Sequence, residues 1–332
     1  MKTINWKYGD NVSQIGEDII IAIGNFDGVH LGHARLLEAA KLKAKENNLS
    51  FGVVTFSPHP REFFSSKNSS FKLLDDQEKK YQLSKLGVDY LIIIEFNEQL
   101  KNLSPNEFLS NVLSKAFCVK KMFAGVNFKF GKNREGNIDI GKDLGKEIGL
   151  EVFGIDLVQV KKIKNSNDLQ DEIISSQVIR SLIKAGELNG VKKLLGRNWC
   201  VTGTVILGKQ KGRDLGFPTA NVDMEYFLKP PLGVYVTRLK VITGTNIDKE
   251  IEWLPSISNI GTRPTVSGNS INIETHIIDF KNNNTDTNLY GKRVKVELLN
   301  FIREEKKFNS LNELKEQIAI DTNKACEFHK LK

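Results

Sequence analysis

The chain has 332 residues, of which 40% are hydrophobic and 27% charged, a globular composition with room for two domains that excludes a disordered or fibrous chain. Its 48 Lys and Arg against 40 Asp and Glu give a formal net charge of +8, but the basic residues are spread out, with only short pairs such as Lys161-Lys162 and Lys192-Lys193, so attraction for polyanionic small substrates outweighs nucleic-acid binding as the reading. Three scattered cysteines (Cys118, Cys200, Cys326), no signal-like N-terminus and apolar runs no longer than those at 19–23 and 91–94 argue against a disulfide framework, structural zinc or a membrane span, and for a reducing cytoplasm.

An apolar run at 19–23 predicts a buried strand. The helical spacing of Leu36, Leu37, Ala40 and Ala44 predicts a helix from Gly32 to about Asn47. A strand at 51–56, a helix at 76–86 and a strand at 88–96 follow. Ser104, Pro105 and Glu107 have the pattern of a helix start: a capping hydroxyl, proline at the first helical position and a carboxylate three residues after the cap. A strand at 119–124, a helix at 142–148 and a strand at 150–160 complete an alternation that implies a parallel sheet covered on both faces. In such sheets ligands bind at the carboxyl ends of the strands. Near residue 190 the pattern changes. Strand-like segments fall at 199–207, 234–241, 251–257, 271–278 and 294–301, with one clear helix from Ser310 to about Leu331. Few crossover helices between strands predict a small antiparallel barrel. Segments 243–249 and 282–284 read as exposed loops.

The strand at 19–23 runs into Gly24-Asn25-Phe26-Asp27-Gly28-Val29-His30-Leu31-Gly32-His33. A glycine-bearing loop that feeds a helix N-terminus offers free backbone N–H groups and a favourable dipole to phosphate. His30 and His33, three apart, can face one anion. Gly32 between them removes a side chain where phosphate approaches. His-x-x-His is also a zinc spacing, but the metalloprotease form needs Glu after the first His, and no further ligand clusters nearby. Two core histidines and the His-x-Gly-His of an aminoacyl-tRNA synthetase are the other readings, and no Lys-Met-Ser-Lys-Ser partner occurs.

This stretch resembles the opening motif of nucleotidylyltransferases, most closely that of bacterial bifunctional riboflavin kinase/FAD synthetases. Val54-Thr55-Phe56-Ser57-Pro58-His59-Pro60 looks like that family's second-strand motif, and Gly125-Val126-Asn127-Phe128-Lys129-Phe130-Gly131 like its Asp/Asn-Phe-Arg-Phe-Gly loop. Ile174-Ser175-Ser176-Gln177-Val178-Ile179-Arg180 looks like its Ile-Ser-Ser-Thr-x-x-Arg signature. Here Ser175 or Ser176 suits a helix N-cap and Arg180, one turn in, suits a forked contact to a triphosphate. Gln177 stands where the family has Thr, and Lys129 where it has Arg. The resemblance implies catalytic roles for His30, His33 and Arg180. It implies ATP or phosphate contacts for Gly24, Phe26, Asp27, Gly28, Gly32, Asn127, Ser175 and Ser176, and flavin contacts for Pro58, His59, Pro60 and Phe128.

The C-terminal half holds Gly203-Thr204-Val205 and Gly208, then Gly212-Arg213-Asp214-Leu215-Gly216-Phe217-Pro218-Thr219-Ala220-Asn221. Glycines at 208, 212 and 216 allow a tight loop to approach phosphate, and no Gly-Lys-Ser/Thr makes it a Walker loop. Thr219 and Asn221 alternate, so on an extended segment they face one way, with oxygens that suit Mg²⁺. This stretch resembles the riboflavin kinase signature. By that resemblance Thr219 and Asn221 hold Mg²⁺ and ATP phosphates, Gly208, Gly212, Arg213 and Gly216 lie against ATP, and Arg263 in Ser258-Asn259-Ile260-Gly261-Thr262-Arg263-Pro264-Thr265 contacts flavin. Gly233-Val234-Tyr235, Leu289-Tyr290-Gly291 and the 301–308 segment match the family in order. Glu274, in Glu274-Thr275-His276, occupies the position of the family's catalytic carboxylate. A primary alcohol is a poor nucleophile, so a base beside it is chemically sensible.

The expected architecture is an α/β nucleotidylyltransferase domain with a Rossmann-like parallel sheet (1–185), followed by a small antiparallel β-barrel riboflavin kinase domain with a C-terminal helix (186–332). The expected reactions are riboflavin plus ATP to FMN plus ADP, then FMN plus ATP to FAD plus pyrophosphate, with Mg²⁺. Partners are riboflavin, FMN and ATP, with no nucleic acid and no membrane, and the oligomeric state is open. Gln177 motivates a kinase-only alternative and the +8 charge a flavin-binding, nucleic-acid-binding regulator. A Gln177→Thr exchange and salt-sensitive RNA or DNA binding respectively distinguish them.

Overall fold

The computed structural model describes residues 1–10, 15–65, 70–156, 158–160, 172–207, 216–242, 252–265, 268–278 and 288–331. The side chains at 159, 160, 172, 263–265, 268 and 269 lie outside the described residues, and so do the predicted loops 243–249 and 282–284. The chain divides into two compact units, Met1–Ser69 with Lys79–Ser175, and Ser70–Glu78 with Ser176–Lys332.

In the first unit, β1 (Lys2–Trp6), β2 (Ile19–Ile23), β3 (Ser50–Ser57), β4 (Tyr90–Glu95), β5 (Val119–Gly125) and β6 (Glu151–Ile155) form a six-stranded sheet ordered β1-β4-β3-β2-β5-β6. Every pair is parallel. All of β2, Ile-Ile-Ile-Ala-Ile, is buried, as a central strand covered on both faces requires. α1 (Leu31–Glu46) buries Leu36, Leu37, Ala40 and Ala44, the residues whose spacing predicts it. α2 (Pro60–Phe63) follows β3, and α3 (Asp76–Lys85), of which Asp76–Glu78 count with the second unit, precedes β4. α4 (Glu98–Lys101) and α5 (Pro105–Glu107) come next, and α5 continues as a π-helix over Phe108–Ala116. At its start Ser104 Oγ accepts from Glu107 N–H at 3.2 Å, and the Glu107 carboxylate accepts from Ser104 N–H at 2.8 Å, a reciprocal cap. α6 (Ile138–Ile148) begins earlier than its apolar spacing predicts, because Asn137 Oδ1 caps it by accepting from Asp139 and Ile140 N–H. The predicted 150–160 strand divides into β6 and β7 (Gln159–Val160), which pairs with β8 (Glu172–Ile173). From β2, the chain adds β3 and β4 on one side and β5 and β6 on the other. The loops leaving β2 and β5 therefore diverge where open α/β sheets bind ligands.

In the second unit, α7 (Ser176–Lys184) and α8 (Leu188–Leu195) precede the strands β9 (Cys200–Thr204), β10 (Thr219–Asp223), β11 (Gly233–Ile242), β12 (Leu254–Thr265), β13 (Gly268–Ile277) and β14 (Arg293–Glu304). α9 (Leu311–His329) follows. The order β10-β13-β12-β11-β14-β9 is antiparallel throughout. A bridge between Ile206 and Asn221 brings the two edges together, so the barrel is nearly closed. Ala220, Val222, Ile260, Ile273, Leu239 and Val296 fill its interior. Four buried hydroxyls there satisfy one another: Thr237 with Ser256 (2.9 Å) and Ser258 (2.8 Å), and Ser258 with Thr275 (2.8 Å). α9 packs on the outer face, burying Ala325 against Val234, Val236 and Ile257.

Candidate functional site

The loop between β2 and α1 has positive φ at Phe26 (49°), Gly28 (85°) and Val29 (40°). Left-handed backbone at a β-branched residue is strained and persists only where its surroundings hold it. Phe26, Asp27, Val29 and His30 are all buried. Val29 N–H donates to Phe26 O at 3.2 Å, and Thr55 Oγ1 and Lys79 Nζ both donate to Asn25 O at 3.3 Å. A Cβ on Gly32 would lie 3.1 Å from the His30 imidazole, a tight approach, whereas one on Gly24 would lie 3.4 Å from the Phe26 ring, in ordinary contact.

His30 is the N-cap of α1. Its Nδ1 accepts from His33 N–H at 3.2 Å, and His33 Nδ1 accepts from His30 N–H at 3.4 Å. The two rings stack with centroids 3.6 Å apart, and Phe26 meets His33 edge-on at 5.2 Å. With both Nδ1 atoms accepting, each neutral ring carries its proton on Nε2. The pair is thus held as two parallel donors, suited to an anion rather than to a metal bound through Nε2.

The Ser57–Pro58 peptide is cis. His59 caps α2, its Nδ1 accepting from Arg61 N–H at 3.0 Å while its own N–H donates to Glu62 at 3.1 Å, with Pro60 at the first helical position. An aromatic group missed in the sequence reading adjoins this turn: Phe63, Phe64 and Phe56 each meet Phe96 edge-on. After β5, Asn127 is exposed and Phe128 is half-buried, stacked on Phe130 at 5.8 Å. Gly131 has φ 72°, and a Cβ there would lie 2.8 Å from Pro105 N. α7 begins at Ser176, directly after Ser175. It belongs to the second unit, and within that unit Arg180 Nε donates to Phe71 O at 3.0 Å, with its guanidinium over the Phe71 ring.

Among the kinase-motif residues, Gly208, Gly212, Arg213 and the side chain of Arg263 lie outside the described residues. Gly216 has φ 89°, a conformation that favours glycine. Thr219 and Asn221 are on β10, as the alternation predicts. The β10–β13 register sets Asn221 opposite Glu274 and Thr219 opposite His276. On the other side β12 sets Asn259 opposite Glu274. The carboxylate is thus flanked by an amide on each neighbouring strand, all on one face. Asn221 is 4% exposed. Its Nδ2 donates toward Thr219 O and Oγ1 at 3.4 and 3.3 Å, and its Oδ1 is buried with no hydrogen-bond partner among the described residues. His276 Nδ1 lies 2.9 Å from Pro218 O. Burial lowers the His276 pKa and the contact with Pro218 opposes that shift, so the neutral ring donates from Nδ1.

Thr219, Glu274 and His276 open onto a cavity of about 340 Å³ between the outer barrel face and the C-terminal segment. Phe217, Val234, Ile257, Phe308, Leu314 and Ile318 supply its apolar wall, and Asn259, Arg303, Glu305 and Asp321 add polar groups. Arg303 Nε and a second guanidinium nitrogen each reach Asp321 Oδ2 at 2.8 Å, fastening α9 over the cavity. An apolar pocket of this volume with a few converging polar groups fits a small organic ligand. The pairings of Glu274 with Asn221 and Asn259 depend on strand register between segments distant in the chain.

The FAD synthetase family profile matches residues 12–169 and the riboflavin kinase profile residues 195–329. The bifunctional riboflavin kinase/FMN adenylyltransferase of Escherichia coli K12 is 34% identical over 319 residues, covering 96% of this chain and 95% of the relative. The protein of the same name from Bacillus subtilis 168 is 33% identical, covering 93% and 92%. A crystal structure described as a macrolide-efflux protein from Streptococcus pneumoniae superposes with a TM-score of 0.80 and 27% identity over 97% of both chains. No described helix is long and apolar enough to cross a membrane. The parallel-sheet unit with its stacked histidine cap, the antiparallel barrel with Glu274 between two amides, and these whole-length relatives agree: the chain belongs to the bifunctional riboflavin kinase/FMN adenylyltransferase family.

Proposed function

We propose that the chain phosphorylates riboflavin to FMN in the barrel and adenylylates FMN to FAD through the α/β unit, each time with ATP and Mg²⁺, in the cytoplasm. The single observation that carries the kinase reading is Glu274, set opposite Asn221 and open to an apolar cavity of about 340 Å³. The cavity takes the flavin and presents its 5′-hydroxyl to Glu274. Glu274 accepts the hydroxyl proton as the oxygen attacks the γ-phosphorus and the bond to ADP breaks. Thr219 Oγ1 and Asn221 Oδ1 would hold Mg²⁺. The buried Asn221 Oδ1, unpartnered among the described residues, fits a hard cation that takes oxygen ligands. When bound, that ion neutralises charge on the phosphates.

In the adenylyl transfer, the FMN phosphate is its own nucleophile, since the second pKa of a phosphate ester lies near ~6. It bonds to the α-phosphorus and pyrophosphate leaves, so no strong base is required. His30 and His33 donate from Nε2 to the departing phosphates, held there by the reciprocal Nδ1 contacts. Gly24, Gly28 and Gly32 let the backbone of this loop come close to them. Ser175, Ser176 and Arg180 serve the same reaction, so in function the division falls near residue 185. Pro58, His59, Pro60 and Phe128 face the flavin of this second step.

Incubation with riboflavin, ATP and Mg²⁺, followed by chromatography of the flavins, is expected to give FMN and then FAD. Glu274→Gln is expected to abolish both products from riboflavin while FAD formation from supplied FMN is unchanged. Continued FMN formation by that variant would remove Glu274 from the mechanism.

A further inference from the structure

Asn221 Oδ1 has a companion: Asn272 Oδ1 is also buried, without a hydrogen-bond partner among the described residues. Asn272 is 2% exposed and belongs to none of the motifs above. It lies on β13 two residues before Glu274 and shares that residue's face. Across to β10 it stands opposite Asp223, while Asn221 stands opposite Glu274. Asn221 and Asn272 are therefore diagonal neighbours on one face, about 7–8 Å apart, a gap that a cation with its bound water can bridge. On its other flank Asn272 pairs with Gly261 of β12. Glu305 Oε1 occupies the space a Cβ on Gly261 would take, and Asn259 Nδ2 lies 3.0 Å from the same point. The surroundings are thus rich in oxygen, with Glu274, Asp223 and Glu305 around the two amides.

A fold gains nothing by burying two unpaired amide oxygens on one face, and apolar side chains of the same shape serve packing better. The Asn221 amide is oriented by its donation to Thr219, which leaves its oxygen directed elsewhere. Two neighbouring acceptors are satisfied together by a cation or by the water it carries. We infer that Asn272 is a positioning residue for the kinase metal: its Oδ1 accepts from a water bound to the divalent cation that Thr219 and Asn221 hold. The inference rests on the kinase reading of this unit and adds a third residue to the metal's surroundings.

The test uses the full chain with Asn272→Leu, Asn272→Asp and, as reference, Asn221→Ala. Mn²⁺ binding in the presence of ADP is read from the electron paramagnetic resonance signal of free Mn²⁺. The apparent KM for Mg²⁺ is read from FMN formation. Partners around a metal's ligands typically change affinity by about 10–100-fold. Asn272→Leu is expected to weaken the Mn²⁺ site that Asn221→Ala removes by about tenfold, and to raise the KM for Mg²⁺ similarly. Asn272→Asp keeps an oxygen acceptor and stays near the wild-type value. Without metal, Asn272→Leu is expected to melt at or above the wild-type temperature, because an unpaired buried polar atom has gone. A wild-type Mn²⁺ affinity in Asn272→Leu overturns the inference, as does equal loss in Leu and Asp variants together with a lowered melting temperature. Failure of the wild type to form FMN at any Mg²⁺ concentration would instead sink the kinase reading, and the Mn²⁺ titration still decides the role of Asn272.

Discussion

Lys229 shows how one side chain writes a pH dependence into the barrel unit. Its Nζ donates to Met224 O. Burial lowers its pKa to about 8 against the pull of Asp223 and Glu225. In the unfolded chain the same amine titrates near 10.5. Between these values the unfolded state binds more protons, so stability rises with pH across the interval. Below about 8 the buried ammonium exerts its full penalty. Thermal melts of wild type and Lys229→Met from pH 7.5 to about 10 are expected to differ by an amount that changes steadily above pH 8, with wild type gaining on the variant. Parallel curves would show that Lys229 titrates normally. Cys200 is the opposite kind of group: burial pushes its thiol up to about 12, so it stays protonated and inert.

At the scale of elements, close approach decides more than propensity. In α6, Gly145 faces Leu150 at the start of β6, and a Cβ there would collide with Leu150 O. The Leu150 N–H also returns to Gly145 O at 2.9 Å, so helix and strand meet across this glycine. Gly145→Ala is expected to lower unfolding free energy by about 1–3 kcal/mol, the range for overpacking, read as a lower urea midpoint. The same contrast separates what the sequence shows from what it hides. Helix starts are local chemistry, so the cap at Ser104 is legible. The edge strand β1 is not: its burial alternates only from Ile4 to Trp6, and it is specified by pairing with β4, far along the chain. β12 continues to Thr265 rather than ending near residue 257, because Gly261 and Pro264 signal a turn while pairing with β13 holds the strand. At the site, Thr219, Asn221 and Glu274 are legible as motif residues, but Asn259 and Asn272 become partners only through register.

At the scale of the whole molecule, the barrel unit includes a piece of chain from far upstream, Ser70–Glu78. Phe71, Leu73 and Leu74 of this piece are buried, and polar contacts fix it in place. Trp199 Nε1 donates to Leu73 O at 2.9 Å, and Asp75 accepts from both Arg293 and Thr202. Glu78 and Lys295 form an ion pair at 2.6 Å with 5% and 11% side-chain exposure. Lys295 stands on β14 opposite Thr202 of β9, so the segment is tied to a barrel strand rather than to a surface loop. Removing one partner of a buried pair leaves the other charge under-compensated, at a cost of up to about 3–5 kcal/mol, which Glu297 lessens for Lys295, whereas removing both is often close to neutral. Glu78→Gln is therefore expected to lower the stability of the barrel unit by up to that much, and Glu78→Gln with Lys295→Met to recover most of it. The assay is urea unfolding followed by the fluorescence of Trp199, which lies beside the segment it anchors, with Trp6 and Trp253 replaced by Phe in every variant. A single variant as stable as wild type would mean that Ser70–Glu78 rests on the barrel without supporting it. Recovery in the double variant would show that the kinase unit depends for its stability on residues encoded within the sequence of the other unit.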